Sequence, residues 1–313
     1  MASSSITQDW LICTACGTQF PSSDRESLTT CFICDDPRQF TPPTGQSFTT
    51  LGDMLAPQSG YENLFEQYQH DDRITFIHTA PKVGIGQRCA LVKTPAGNIL
   101  WDCITFLDNA TVEQITALGG IDAIVISHPH YYSTHLLWAR TFDCKVYLAA
   151  EDSQWLAQKD AARQVFIPEG EVEADILSSG VKALKLGGHF PGSFVLLAYG
   201  RLLIADTLVT TPAGMGNWST DAVGSRRKGH LGRPEGMNSF AFMWSIPNMI
   251  PLSPNEVSQM WKVLSGQEFK STHGAFMGQD IEDVEIKKRV LDSMQIQVRR
   301  MGWTEHAFLS ISS

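Results

Sequence analysis

Ile126-Ser-His-Pro-His-Tyr-Tyr-Ser-Thr-His135 follows the apolar run Ile121-Asp-Ala-Ile-Val-Ile126 and leads into Leu136-Leu-Trp-Ala139. Three of the chain's nine histidines fall within these ten residues. A β-rich run ending in His-x-His turns both imidazoles to one side of the chain, because side chains two apart on an extended backbone share a face. Two nitrogen donors on one face are half of a metal site. A catalytic zinc takes about three protein ligands and keeps one position open, so further donors are expected elsewhere in the chain. Alone, His-Pro-His is as readily a turn with solvated histidines.

The downstream order supplies the missing donors. Gly187-Gly-His-Phe-Pro-Gly-Ser193 follows a strand-like Val181 to Leu186, Leu202-Leu-Ile-Ala-Asp-Thr207 ends an apolar run in an acid, and Phe269-Lys-Ser-Thr-His-Gly274 ends another in His-Gly. Each candidate ligand sits where a strand finishes.

This ordered set resembles the metallo-β-lactamase superfamily over Ile74 to Gly302. That resemblance implies an α+β fold, a four-layer αβ/βα sandwich, with ligands on loops at the ends of its two sheets. It maps the family's ligand order onto His128, His130, His189, Asp206 and His273. Where the family motif continues with Asp and His, this chain has Tyr132 and Ser133. The resemblance therefore implies an intact first metal position and a crippled second one, with one or two zinc ions and iron as the alternative. His135 is a candidate replacement ligand, or simply a histidine on a helix face. Tyr131 and Tyr132, inside the motif, are candidates either for donating to a developing oxyanion or for core packing.

The N-terminal stretch carries its own metal signature. Cys13-Thr-Ala-Cys16 and Cys31-Phe-Ile-Cys34 are separated by fourteen residues, which fits a four-thiolate tetrahedron of zinc-ribbon type. Iron in a rubredoxin-like centre is the alternative, since thiolates suit both ions. Disulfides are disfavoured, because Cys89, Cys103 and Cys144 make the total odd and no secretory signal precedes the knuckles. Thr41 to Gly60, rich in Pro, Thr, Ser and Gly, marks a connector. The expected division is a structural zinc-ribbon-like domain over 1–45 and a metallo-β-lactamase-like domain over 46–313.

Elements between the motifs read as follows. Glu62 to Tyr68 is expected to be a short helix and Arg73 to Thr79 a strand. Gly84 to Cys103 reads as a hairpin ending in Asp102, a structural acid rather than a ligand. A helix capped by Asn109 precedes the strand to His128. A second helix starts at Ser133 or Thr134, a third at Asp152, and amphipathic helices run over Pro254 to Leu264 and Ile281 to Arg300. Leu208 to Asn238, with Arg226-Arg-Lys-Gly-His230 at its centre, is either a substrate loop or a solvated excursion. Phe190, Phe240, Phe242, Met243 and Trp244 are expected to wall the site.

Composition bounds the partners. With 313 residues, 43% hydrophobic and 18% charged, the chain can bury a large core. Its net charge of −9 makes it a poor polyanion binder, so nucleic acid is not expected. No stretch reaches membrane-spanning length, no membrane partner is expected, and the start suggests a cytoplasmic protein. The sequence specifies no oligomeric state.

The expected function is hydrolysis of a small, partly apolar molecule by a zinc-bound hydroxide, a cyclic amide or ester (lactam or lactone) first and a thioester second. The candidate catalytic residues are Asp206, Tyr132 and His273. Two further readings stay open. One is a mononuclear iron dioxygenase acting on a thiol through His128, His189 and Asp206, and the other is a non-catalytic metal-binding module.

Overall fold

A computed structural model describes residues 7–227, 234 and 236–312. Near the N-terminus β1 (Leu11–Cys13) pairs antiparallel with β2 (Phe48–Thr50), and α1 (Leu51–Leu55) follows at once. The connector expected over Thr41 to Gly60 is thus partly regular. The boundary expected at residue 45 falls between β1 and its partner strand β2.

The larger sheet has seven strands in sequence order. These are β3 (Glu62–Gln67), β4 (Ile74–Ala80), β5 (Cys89–Val92), β6 (Ile99–Trp101), β7 (Ala123–Val125), β8 (Lys145–Ala149) and β9 (Gln164–Ile167). The first four run antiparallel and the last four parallel, with β6 belonging to both sets. The short helix expected at Glu62 to Tyr68 is therefore an edge strand. Glu, Leu and Gln favour a helix when isolated, but cross-strand pairing from Glu62↔Ala80 to Gln67↔Thr75 overrides that weak preference.

The second sheet opens with β10 (Glu173–Ile176), β11 (Val181–Lys185), β12 (Phe194–Ala198) and β13 (Arg201–Leu203). Two short ribbons follow, β14 (Val209–Thr210) with β15 (Phe240–Ala241) and β16 (Met243–Ser245) with β17 (Ile250–Pro251). Then β18 (Ser271–His273) returns parallel to β13, and β19 (Asp280–Glu282) closes the edge.

Helices cover the outer faces. α2 (Asn109–Ala117) and α3 (His135–Thr141) lie on the first sheet, α4 (Pro212–Met215) is a single turn, and α5 (Pro254–Ser265) and α6 (Ile286–Arg300) lie on the second. Alternation along β12 shows why there are two cores. Phe194, Leu196 and Ala198 point between the sheets, while Val195 and Leu197 point to the layer under Met260, Leu264, Val290 and Met294. The result is a four-layer αβ/βα sandwich.

Local chemistry moves several boundaries. Asp108 rather than Asn109 caps α2, its carboxylate accepting from the Thr111 amide at 2.8 Å. Thr134 occupies the α3 cap position, but its hydroxyl donates instead to the Ile104 and Thr105 carbonyls. The helix expected from Asp152 is one 3-10 stretch, Ala150–Trp155. Ser253 and Glu256 form a reciprocal capping box on α5. Of the basic run Arg226 to His230, only Arg226 and Arg227 are among the described residues, and both are exposed.

Candidate metal centres

Strand β7 delivers the His-x-His stretch, and a buried acid aims it. Asp102, at the end of β6, holds a left-handed backbone (φ 59°) and accepts from the Ser127 amide at 2.7 Å. Burial pushes its carboxyl up to about 8, so it holds the backbone from within the core. Past Ser127 the chain turns through a 3-10 stretch over Pro129–Tyr131, and both His128 and His130 are buried. His189 comes from the Gly-Gly-His turn after β11, and Asp206 from the end of β13. Gly188 sits there because, at φ 88°, a Cβ would come 2.6 Å from both Leu252 and Thr207.

These four residues converge. Their donor atoms all lie within 4.8 Å of one another. His128 Nε2 is 3.4 Å, His189 Nε2 3.8 Å and His130 Nδ1 3.9 Å from Asp206 Oδ2, and His130 Nδ1 is 3.2 Å from His189 Nε2. A tetrahedron of zinc–nitrogen bonds of about 2.0–2.1 Å has edges near 3.3–3.4 Å, so the spacing suits one ion. The outer ring nitrogens fix the rings. His128 Nδ1 is 2.8 Å from Ser127 Oγ and His189 Nδ1 donates to the Trp244 carbonyl at 2.9 Å. His128 Nε2 is buried without any hydrogen-bond partner, as a ligand nitrogen facing a metal would be. Burial holds His130 down to about 4 and His189 well below the usual imidazole range, so both are neutral donors at pH 7. For Asp206, burial works against ionisation, but the attraction of the clustered histidines, His128 foremost, outweighs it and holds the carboxyl well below its usual range.

The remaining candidates lie elsewhere. His273 stands at the end of β18, but Asp280 Oδ1 is 2.7 Å from its Nδ1 and Ser271 Oγ 2.9 Å from its Nε2, with Tyr68 and Phe76 against its faces. Arg88 completes this network, its Nη2 donating to Asp280 at 2.6 Å. Serine, histidine and carboxylate have the sequence of contacts of a hydrolytic triad, yet Ser271 is fully buried and cannot meet a substrate. His135 is locked between the Tyr132 carbonyl, 2.8 Å from its Nδ1, and Gln164 Nε2, 2.9 Å from its Nε2. Tyr132 donates to the Asp152 carbonyl at 3.2 Å, so its phenol is spent within the core. Ser133 Oγ bonds Thr105 Oγ1 at 3.0 Å.

Tyr131 is the tyrosine at the site. Its phenol donates to Asp206 Oδ1 at 2.8 Å, leaving Oδ2 toward the imidazoles. Of the expected apolar wall, Phe190 packs against all three histidines, and Trp244 contributes its carbonyl. Phe240 and Phe242 instead join the layer beneath the second sheet.

The N-terminal cysteines form a second cluster. Cys13 and Cys34 sulfurs are 3.6 Å apart, and those of Cys16 and Cys31 3.8 Å. The edge of a zinc–thiolate tetrahedron with bonds of about 2.3 Å is close to 3.8 Å, whereas a disulfide needs about 2.05 Å. The four thiols therefore fit a metal and are free of disulfides.

Residues 84–244 match the family model of the metallo-beta-lactamase superfamily, and the chain belongs to that superfamily. It is 33% identical over 273 residues to YmaE of Bacillus subtilis, a protein described as uncharacterized, covering 85% of this chain and 88% of that one. Among solved structures it is similar to the metallo-β-lactamase FIM-1 of Pseudomonas aeruginosa in its mono-zinc form, with a TM-score of 0.47, 14% identity and coverage of 74% and 95%. It is also similar to a flavo di-iron protein mutant of Thermotoga maritima, with a TM-score of 0.45, 15% identity and coverage of 75% and 61%. No helix among the described residues is long and apolar enough to cross a membrane.

Proposed function

We propose that the protein is a metal-dependent hydrolase with one metal at the His128, His130 and His189 centre, opening a small cyclic amide or ester. The observation that carries this reading is the convergence of three imidazoles and a carboxylate, with His128 Nε2 buried and without a hydrogen-bond partner. When bound there, zinc supplies a Lewis acid and brings the acidity of a bound water to about pH 7. The chain's own part is positioning. Ser127 and Trp244 fix two rings, Phe190 packs against the imidazoles, and Tyr131 turns Asp206 so that Oδ2 faces the imidazole cluster, where a reacting water would have to lie. Asp206 accepts a proton there and later passes it to the leaving nitrogen or oxygen.

A single metal is favoured because the residues nearest a second position are already engaged. Asp206 Oδ1 holds Tyr131, and Tyr132, Ser133, His135 and His273 all have other partners. A thiol dioxygenase using two histidines and one carboxylate leaves His130 without a role, although its Nδ1 faces the same cluster.

The test is turnover of a panel of lactams, lactones and thioesters by metal-loaded protein, beside Asp206→Asn and His189→Ala. Asp206→Asn is expected to bind metal more weakly and to stay inactive even when metal-saturated, and His189→Ala to lose both metal and hydrolysis. No turnover of any panel member, or full activity in His189→Ala, overturns the reading.

A further inference from the structure

The four-cysteine unit is built into the wall of the histidine centre. Four residues after Cys34, Arg38 donates through Nη1 to the main-chain carbonyl of His189 at 3.1 Å. Its guanidinium carbon lies 3.7 Å from the centroid of Phe190, the ring that packs against the three histidines. Its Nε and Nη2 donate to both carboxylate oxygens of Asp36, at 2.7 and 2.8 Å, and the pair is about nine-tenths buried, with side-chain exposures of 10% and 11%.

The loop carrying this pair is pinned. The Pro37 carbonyl accepts from Ser245 Oγ at 2.7 Å and Asn248 Nδ2 at 2.6 Å, just beyond the Trp244 carbonyl that holds His189 Nδ1. A second line of contact is aromatic. Phe32, between Cys31 and Cys34, stacks on Trp155 at 6.4 Å, and Trp155 meets Phe190 edge-on at 5.5 Å. A third is main-chain: the Gln19 amide donates to the Ser133 carbonyl at 3.1 Å. A Cβ on Gly17 would come 2.0 Å from Thr105 Oγ1 and 3.3 Å from Ser133 Oγ, so the unit also packs closely at the motif loop.

We infer that Arg38 is a positioning residue for the histidine centre, and that the four-cysteine unit, by holding Asp36 and Arg38, sets the metal affinity of that centre. This rests on the metal-centre reading above. A metal ligand binds well when its ring does not have to be ordered at the moment of binding, and His189 is held from two sides, by Trp244 at the ring and by Arg38 at the backbone. A guanidinium can serve a carboxylate, a carbonyl and an aromatic face together because its donors form a rigid planar fork. An ammonium cannot. A bare cation here would oppose metal binding, and Asp36 neutralises it within the same buried pair.

The experiment uses the full chain with zinc in the four-cysteine unit and cobalt(II) titrated into the histidine centre against a competing chelator. Cobalt ligand-field bands report the histidine centre, and protection of the thiols from a thiol reagent reports the four-cysteine unit. Arg38→Ala is expected to weaken cobalt binding about tenfold and shift its bands with the thiols still protected, the low end of what losing an outer partner costs. Arg38→Lys should fall within twofold of Arg38→Ala. Cobalt affinity within twofold of wild type in Arg38→Ala, or full rescue by lysine, overturns the inference. Should Arg38→Ala expose the thiols, Asp36→Asn decides. With its thiols protected, an unchanged affinity overturns the inference and a weakened one supports it. Wild-type protein that binds no cobalt at the histidines would instead overturn the metal-centre reading itself.

Discussion

Replacing Tyr131 with phenylalanine removes one atom and tests how much the histidine centre depends on it. The phenol is fully buried and donates at 2.8 Å to Asp206 Oδ1, so phenylalanine keeps the packing and deletes only the hydrogen bond. A hydrogen bond to an ionised group contributes roughly 1.5–3 kcal/mol, more than a neutral one, because the buried acceptor has no water to turn to. If that energy is expressed in orienting Oδ2 toward the imidazoles, metal binding should weaken about 10- to 100-fold, at about 1.4 kcal/mol per decade. Outer partners of metal ligands elsewhere cost the same range. The assay is a zinc titration against a chromophoric chelator, on protein whose four-cysteine unit is already loaded. Metal count should not rise, because a phenyl ring restores no ligand to the second position. An affinity within threefold of wild type would refute the view that Tyr131 aims Asp206; a second metal bound tightly would refute the single-metal reading.

Three further outcomes are expected. Elemental analysis should give about two metals per chain, falling by one in Cys31→Ser together with stability, since structural metal binding is coupled to folding; anomalous diffraction showing two full peaks near His128, about 3.5 to 4 Å apart, would contradict it. His273→Ala should keep full metal at the histidine centre but lose roughly 2–4 kcal/mol in urea denaturation, because it opens a cavity against Tyr68 and Phe76 and takes the His273 ring from the buried Ser271 hydroxyl; metal loss at unchanged stability would place His273 back among the ligands. His135, held down to about 4 by burial, binds a proton less readily folded than unfolded. Its contribution is therefore present above about pH 6.5 and lost as pH falls toward 4, on the order of 3 kcal/mol. Urea midpoints measured from pH 7 to 4 on metal-free protein should fall less steeply in His135→Gln, and identical slopes would rule this out.

The local patterns were legible because they depend on neighbours in the chain. His-x-His after a β-branched run, Gly-Gly-His after a strand, Asp206 closing another, and paired Cys-x-x-Cys knuckles each declare a donor at an element's end. The order of those donors carries the family resemblance, and it is the resemblance that implies the sandwich fold. Edge strand β3 escaped because its residues favour a helix in isolation and only pairing with β4 makes them a strand. Which donors share a centre was decided in three dimensions. His273 follows a strand as His189 does, yet the parallel pairing of β18 with β13 and the return of β19 put Asp280 beside its ring and close that histidine into a separate network. Tyr131 and Tyr132 are adjacent and alike in sequence, but a single 3-10 turn sends one phenol to Asp206 and the other to the Asp152 carbonyl. Arg38 gave no local sign at all. A lone arginine after a cysteine knuckle reads as a surface charge until folding brings His189, 151 residues away, within 3.1 Å. Hydrogen bonds and ion pairs reach only a few ångströms. Sequence can therefore announce which donors exist, but only the packed chain decides which of them meet.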